Sequence, residues 1–187
     1  LWRGGQFLVG RCFWNKKDWT RAQQILRPLS TAYPLLQDVI QKMVADALRE
    51  EGNNTKAIKW YKKIAPTSRL YYSSRLEAAN LLLEASKPKQ VLALLKNLRS
   101  GRFDPVLEWL RVRALQASKK KVAARQALQL MRRIWSQAPW TEEAQKIDAI
   151  FRLRAQKLTL KERIQRASKF NKVFAYRKAL RTLRGLR

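Results

Sequence analysis

From Ala57 the chain is apolar at Ala57, Ile58, Tyr61 and Ile64, with Lys59, Lys62 and Lys63 between them. Apolar positions at i, i+1, i+4 and i+7 fall on one face of a helix. The same stripe begins at Ala22 (with Leu26 and Leu29), at Val91 (with Leu92, Leu95 and Leu98) and at Ala124 (with Leu128 and Met131). Positions 22, 57, 91 and 124 stand 35, 34 and 33 residues apart. A matched segment precedes each. Twelve residues earlier lie Gly10, Ala45, Ala79 and Val112, and nine earlier lie Phe13, Leu48, Leu82 and Leu115. Each unit therefore reads as two antiparallel helices, each with a small residue followed by a large one, joined by a tight turn.

The turn sequences WNKKDW, EGNNTK, ASKPK and SKKKV place the reversals near Trp14–Trp19, Glu51–Thr55, Ala85–Pro88 and Ser118–Val122. Gly52 suits a left-handed helix end, Asn54 a cap for the next helix, and Pro88 a first helical position. Small residues let the two helices approach, and Leu48 and Tyr61 fill the space beside Ala45 and Ala57. The residues expected to carry these contacts are Gly10, Ala22, Ala45, Ala57, Tyr61, Ala79, Val91 and Ala124. A single short helix pair cannot bury its own apolar face, whereas stacked pairs can. The expected fold is all-α: antiparallel helix pairs stacked as a right-handed superhelix. Its units lie near 1–34, 35–70, 71–104 and 105–140, and a basic helical stretch at 141–187 starts a further pair.

These residues resemble tetratricopeptide repeats. The unit FLVGRCF, DWTRAQQIL and AYP (Tyr33, Pro34) is the closest; elsewhere the closing proline shifts to Pro66 and Pro139, and Arg111 stands where other units have Val9, Val44 and Ala78. The segments DALREEGNNTKAIKWYKKI, SSRLEAANLLLEASKPKQVLALL, WLRVRALQASKKKVAARQAL and LTLKERIQRASKFNKVFAYRKALRTLRGL further resemble the N-terminal helical superhelix of soluble lytic murein transglycosylases. That resemblance covers Tyr33 to the end. It implies a scaffold that positions or binds anionic peptidoglycan for a separate lysozyme-like domain, in the periplasm or cell envelope. In that family the catalytic Glu is followed by Ser. No Glu-Ser pair occurs here, so the resemblance implies that the chemistry lies past Arg187.

Charge widens the set of partners. The chain has 41 Lys and Arg against 13 Asp and Glu, a net +28. Such a surface attracts polyanions of any kind. An acidic peptide or nucleic acid on a basic tetratricopeptide-like module is the alternative to peptidoglycan. A protein partner is compatible with both, and non-specific nucleic-acid binding is expected in vitro. The densest stretch, Phe151 to Arg187, holds 13 Lys and Arg and one acid, Glu162. Its candidate polyanion-binding residues are Arg152, Arg154, Lys157, Lys161, Arg163, Arg166 and Lys169. The other reading is the solvated face of a very basic protein. Thr159 to Glu162 reads as a capping box, Ile164, Ala167, Phe170 and Phe174 as the apolar side of its helix, and Ala179, Leu183 and Leu186 as the start of a further pair. The seven tryptophans, Trp2, Trp14, Trp19, Trp60, Trp109, Trp135 and Trp140, read as packing residues.

Little supports catalysis. The chain has no histidine, which removes Ser-His and Cys-His nucleophiles and histidine-containing zinc sites. The single cysteine, Cys12, reads as a small buried apolar residue. Glu50 and Glu51 end a helix. Glu142 and Glu143 suit a first helical turn. Glu84 reads as the partner of a nearby cation. Catalytic, cofactor-binding and metal-ligating residues are therefore not expected in this chain. No apolar run reaches the length of a membrane span. The opening LWRGGQFLVG reads as the inside of a longer protein.

Overall fold

The computed structural model describes residues 2–96, 98, 104–134, 160–172 and 176–184. Among the described residues the chain is helical and has no strand. The helices are α1 (Arg3–Asn15), α2 (Trp19–Ala32), α3 (Gln37–Glu50), α4 (Asn54–Lys63), α5 (Tyr71–Glu84), α6 (Pro88–Lys96), α7 (Pro105–Ala117), α8 (Lys121–Ile134), α9 (Leu160–Lys172) and α10 (Tyr176–Leu183). A turn of 3-10 helix, Pro34–Leu36, leads into α3.

The four turns inside the pairs are built alike. Lys17, Gly52, Ser86 and Lys119 have φ of 61°, 78°, 54° and 58°. In each, the left-handed residue donates its N–H to the carbonyl three residues back: Lys17 to Trp14, Gly52 to Arg49, Ser86 to Leu83 and Lys119 to Gln116. The following N–H reaches five back: Asp18 to Phe13, Asn53 to Leu48, Lys87 to Leu82 and Lys120 to Leu115. This Schellman pairing satisfies carbonyls that a helix end leaves open. Only one of the four left-handed positions is glycine. The residue after each is the N-cap of the next helix. Asp18 caps with its side chain, accepting from the Arg21 N–H at 3.2 Å. The second turn corrects an expectation: Asn53 is the N-cap and makes no side-chain cap bond, and Asn54 is already helical.

One register runs through the second helices. Ala22, Ala57, Val91 and Ala124 are buried, as are Leu26, Tyr61, Leu95 and Leu128, and then Leu29, Ile64, Leu98 and Met131; none is more than 4 % exposed. On the first helices Gly10, Ala45, Ala79 and Val112 are buried. A β-carbon on Gly10 would stand 2.7 Å from Leu26 Cδ2, so the first pair is closer than an alanine would permit without movement of a buried leucine. The helices also differ in how much they bury. Besides Ala45 and Leu48, α3 buries Ile40, Val44 and Ala47, and α5 likewise buries Ala78 and Leu81 beside Ala79 and Leu82. The first helices α3 and α5 are covered along two stripes, the second helices along one.

Contacts divide the chain into two compact units, Leu1–Leu98 and Arg99–Arg187. In the first, each helix packs on its neighbour in the chain, from α1 on α2 through α5 on α6. In the second, α7 packs on α8 through Trp109, Val112, Ala124, Leu128 and Met131. There too α9 packs on α10 through Ala167, Ala179 and half-buried Leu183. Ile164, expected on the apolar side of α9, is exposed. Thr159, Phe174 and Leu186 lie outside the described residues, as does the Phe170 side chain.

Candidate functional site

Among the described residues, acids are confined to some first helices and the turns of the pairs, while bases stand on both kinds of helix. α2, α4, α6 and α8 contain no Asp or Glu at all. The acids of the pairs stand on α3 (Asp38, Asp46, Glu50), α5 (Glu77, Glu84), α7 (Glu108) and the turns. Most of these are engaged. Lys42 Nζ meets Asp46 Oδ2 at 2.8 Å, Arg49 meets Glu50 at 2.8 Å and Glu77 at 3.0 Å, and Arg111 meets Glu108 at 2.5 Å. Glu51 accepts from Thr20 Oγ1 at 2.9 Å and Gln23 Nε2 at 2.7 Å, tying the second turn to α2. Glu84 differs from expectation: it is exposed at the end of α5 and has no ion pair among the described residues.

A fully buried tyrosine meets a half-buried aspartate between α3 and α4. Tyr61 is fully buried, and its hydroxyl donates to Asp46 Oδ1 at 2.5 Å. Burial raises the Tyr61 hydroxyl above its ordinary value, and the Asp46 hydrogen bond adds to the rise. A neutral, enclosed phenol holding a carboxylate already paired with Lys42 acts as a packing device between α3 and α4. The next connection is equally structural. The Arg75 guanidinium donates to the carbonyls of Tyr61 at 2.7 Å, Lys62 at 3.1 Å and Ile64 at 3.3 Å, closing the end of α4 while lying 4.5 Å over the Tyr71 ring. Among the described residues, no three His, Cys, Asp or Glu side chains come together to hold a metal ion. None of the helices there is long and apolar enough to cross a membrane.

The cations of the second helices are arranged differently. On α4, Lys56, Lys59, Lys62 and Lys63 are exposed. Trp60 is half-buried among them, with Lys63 Nζ 4.0 Å from its ring centroid. On α2, Arg21 and Arg27 are exposed, Arg21 near Asp18 and over the Phe13 ring, Arg27 hydrogen-bonded to Gln23. On α6, Lys89 and Lys96 are exposed. Of the C-terminal candidates, Lys161 is exposed on α9. Half-buried Arg163 on α9 donates to the Arg184 carbonyl at 2.6 Å, which ties α9 to the end of α10. Arg166 and Lys169 are helical residues of α9 whose side chains, like all of Arg152, Arg154 and Lys157, lie outside the described residues. Sequence reading went to the densest basic run and missed the sorting, although the signal was plain: the four second-helix segments lack a single acid.

One apolar face is open. Gln6, Val9, Gln24, Ile25, Pro28, Leu29 and Ala32 surround a groove of about 380 Å³ between α1 and α2. Val9 is 44 % exposed, whereas Val44 and Ala78 at the equivalent repeat positions are fully buried. Cys12 is exposed, contrary to expectation, where Ala47, Leu81 and Ala114 are buried. Trp2 is also exposed, against the packing role expected of it. Trp14 and Trp19 meet edge to face at 5.9 Å, Trp109 is buried, and Trp135 and Trp140 lie outside the described residues.

Compared with protein-family models, curated proteins and solved structures, the chain matches none.

Proposed function

We propose that the chain is a non-catalytic helical-repeat scaffold, stacked as a tetratricopeptide-like right-handed superhelix, that retains an anionic polymer for an enzyme domain acting on it. The polymer implied by the sequence resemblance is peptidoglycan, and the setting is the bacterial cell envelope. The observation that carries the reading is the pairing of one repeated packing register with a large excess of cations. A rigid array that presents charge over a long surface suits a polymer better than a small molecule. Among the described residues Asp46, Glu50, Glu77 and Glu108 are paired with the array's own cations, so these acids serve the fold.

The test is sedimentation of the chain with purified peptidoglycan sacculi across a salt series. Binding should be strong at low salt and fall steeply as screening shortens to about 8 Å near physiological ionic strength. No soluble fragments should be released. Sacculi that fail to retain the chain at low salt would remove the reading.

A second reading, a basic module for acidic peptide or nucleic acid, is favoured by Trp60 among its lysines, because aromatic and cationic side chains together also suit unpaired bases. Binding that prefers a defined nucleic-acid sequence at high salt would support it.

A further inference from the structure

We infer that the polymer-holding surface is the acid-free outer side of α2, α4 and α6, centred on Lys56, Lys59 and Lys63 of α4, and that the polymer it fits is an extended one bearing spaced carboxylates. This rests on the proposed scaffold function and adds the place and the chemistry.

Helix geometry gives the stripe. At about 100° per residue, Lys56, Lys59 and Lys63 fall on one side of α4, opposite the buried Ala57, Tyr61 and Ile64. They span about 10 Å along the axis at a rise of about 1.5 Å per residue. The stripe itself belongs to α4, since the positions equivalent to Lys59 are Gln24 and Ala93 and those equivalent to Lys63 are Pro28 and Asn97, while one cationic position beside it recurs from helix to helix. Arg27, Lys62 and Lys96 occupy equivalent positions on α2, α4 and α6, spaced 35 and 34 residues apart, and all three are exposed. Arg21 and Lys56 are equivalent in the same way. Several cations of the first helices serve the fold: Lys42, Arg49 and Arg111 are ion-paired, and Arg75 closes the end of α4. Lys56, Lys59, Lys62 and Lys96 have no ion pair among the described residues. Like charges three and four residues apart on a helix weaken it. Lys56, Lys59 and Lys62 thus cost the helix stability with no ion pair in return, and Lys63 gains its contact with the Trp60 ring alone; an external polyanion accounts for the cluster.

The residue types fit a polymer with irregularly spaced anionic groups. All four cations of α4 are lysines. An ammonium group is a compact point charge on a flexible stem, able to follow carboxylates at irregular spacing. Arginine's planar fork, which grips two oxygens of one carboxylate or phosphate at once, is absent from α4, and the choice of carboxylates over phosphates follows from the proposed scaffold function. Trp60 beside the stripe, partly covered by Lys63, offers an apolar edge to the uncharged parts of such a polymer.

The test compares two four-fold variants of the full chain with equal loss of charge. One changes Lys56, Lys59, Lys62 and Lys63 to Gln; the other changes Lys16, Lys17, Lys119 and Lys120 to Gln. Each is assayed for binding to sacculi, to poly-glutamate and to duplex DNA at one low salt concentration, with helicity and melting temperature checked by circular dichroism. The α4 variant should lose about tenfold in affinity for sacculi and poly-glutamate and the turn variant less than about threefold, with both folded. Equal losses in the two variants would overturn the assignment of a face. A larger loss for duplex DNA than for poly-glutamate would overturn the carboxylate assignment in favour of phosphate. Failure of the unaltered chain to bind sacculi, with poly-glutamate binding still dependent on α4, would instead sink the peptidoglycan reading and leave the face standing.

Discussion

The first and second helices of the pairs share a period and divide the work. α3 is buried along two stripes and carries Asp38, Asp46 and Glu50; α4 is buried along one and carries only cations. A helix covered on two sides cannot leave charges unpaired without a desolvation cost. Its acids are accordingly held, Asp38 by Ser68, Asp46 by Lys42 and Tyr61, and Glu50 by Arg49. A helix covered on one side can carry any charge on the other. That freedom is what a binding surface needs. The second helices thus keep a side free of packing obligations.

The largest expected effect tests the single stripe of α4. Ala57→Trp places a large ring where no solvent reaches, and overpacking should cost about 1–3 kcal/mol. Lys59→Trp, two residues away on the exposed side, should stay within about 0.5 kcal/mol of the parent. Thermal melts of both variants check this. Equal melting temperatures would mean that α4 has no inside and outside of the kind described.

The next effect tests the polar bond between the two kinds of helix. Tyr61→Phe leaves Asp46 without its closest donor and should cost about 1–2 kcal/mol. The pH dependence carries the same signature. Burial and then Asp46 raise the Tyr61 hydroxyl above its usual value of about 10. The folded state thus favours the neutral phenol. Its contribution is complete below about pH 10, where the unfolded phenol is also neutral, and is lost as pH climbs toward the raised folded value. Melting temperature should fall between about pH 10 and 11.5 in the parent, and less steeply in Tyr61→Phe. Parallel curves would show that another group governs the alkaline limb.

The register of Ala22, Ala57, Val91 and Ala124 was legible because helix packing repeats small residues at close approaches, and that leaves a mark in the sequence. Gly52 at positive φ was legible for the same reason, since glycine is the residue that tolerates it. The equivalent turns at Lys17, Ser86 and Lys119 bear no such mark: their left-handed geometry is imposed by helices that must reverse within three residues, and it overrides local preference. Asn54 misled because either asparagine could cap in isolation, and the Schellman bond from Asn53 to Leu48 fixes the phase. Cys12 misled because burial of its repeat position depends on a neighbour packed against α1, and nothing described covers that stripe. The charged face was hidden by composition. A net charge says how many cations there are, and only the assignment of each segment to a first or second helix shows which ones the fold has already used.

The turns give a smaller and two-signed effect. A non-glycine residue in the left-handed region costs about 1–2 kcal/mol relative to the right-handed one. Gly52→Ala should therefore lower stability by about 1 kcal/mol, and because a β-carbon there meets open space, the loss is conformational rather than steric. Lys119→Gly should raise stability by about 0.5–1 kcal/mol at the same site in another pair. Urea titrations that move the two midpoints in opposite directions would support four equivalent turns. A shift in the same direction would mean that the four are alike in geometry and different in energy.

The smallest effect goes to the centre of the comparison, by removing one cation from each kind of helix. Arg49 on α3 pairs with Glu50 and, across to α5, with Glu77. Its side chain is about a third exposed, so water screens much of the pairing, and Arg49→Gln should cost about 0.5–1 kcal/mol. Lys59 on α4 has Lys56 three residues before it and Lys63 four after it, with no acid on the helix. With Lys62 three residues after it as well, Lys59→Gln relieves three like-charge contacts, each worth about 0.2–0.5 kcal/mol, and should leave stability unchanged or raise it by that order. The two substitutions remove the same unit of charge from the same first unit of the chain, so the general repulsion of a +28 protein changes equally in both. Any difference in the sign of the two shifts therefore comes from local pairing. Opposite signs would show that the first helices use their cations for the fold while α4 carries its own at a loss, which is the condition for a surface kept for something outside the chain. A loss of similar size in Lys59→Gln would mean that α4 has an internal partner for its charge, and the division of labour between the two layers would fail at its most specific point.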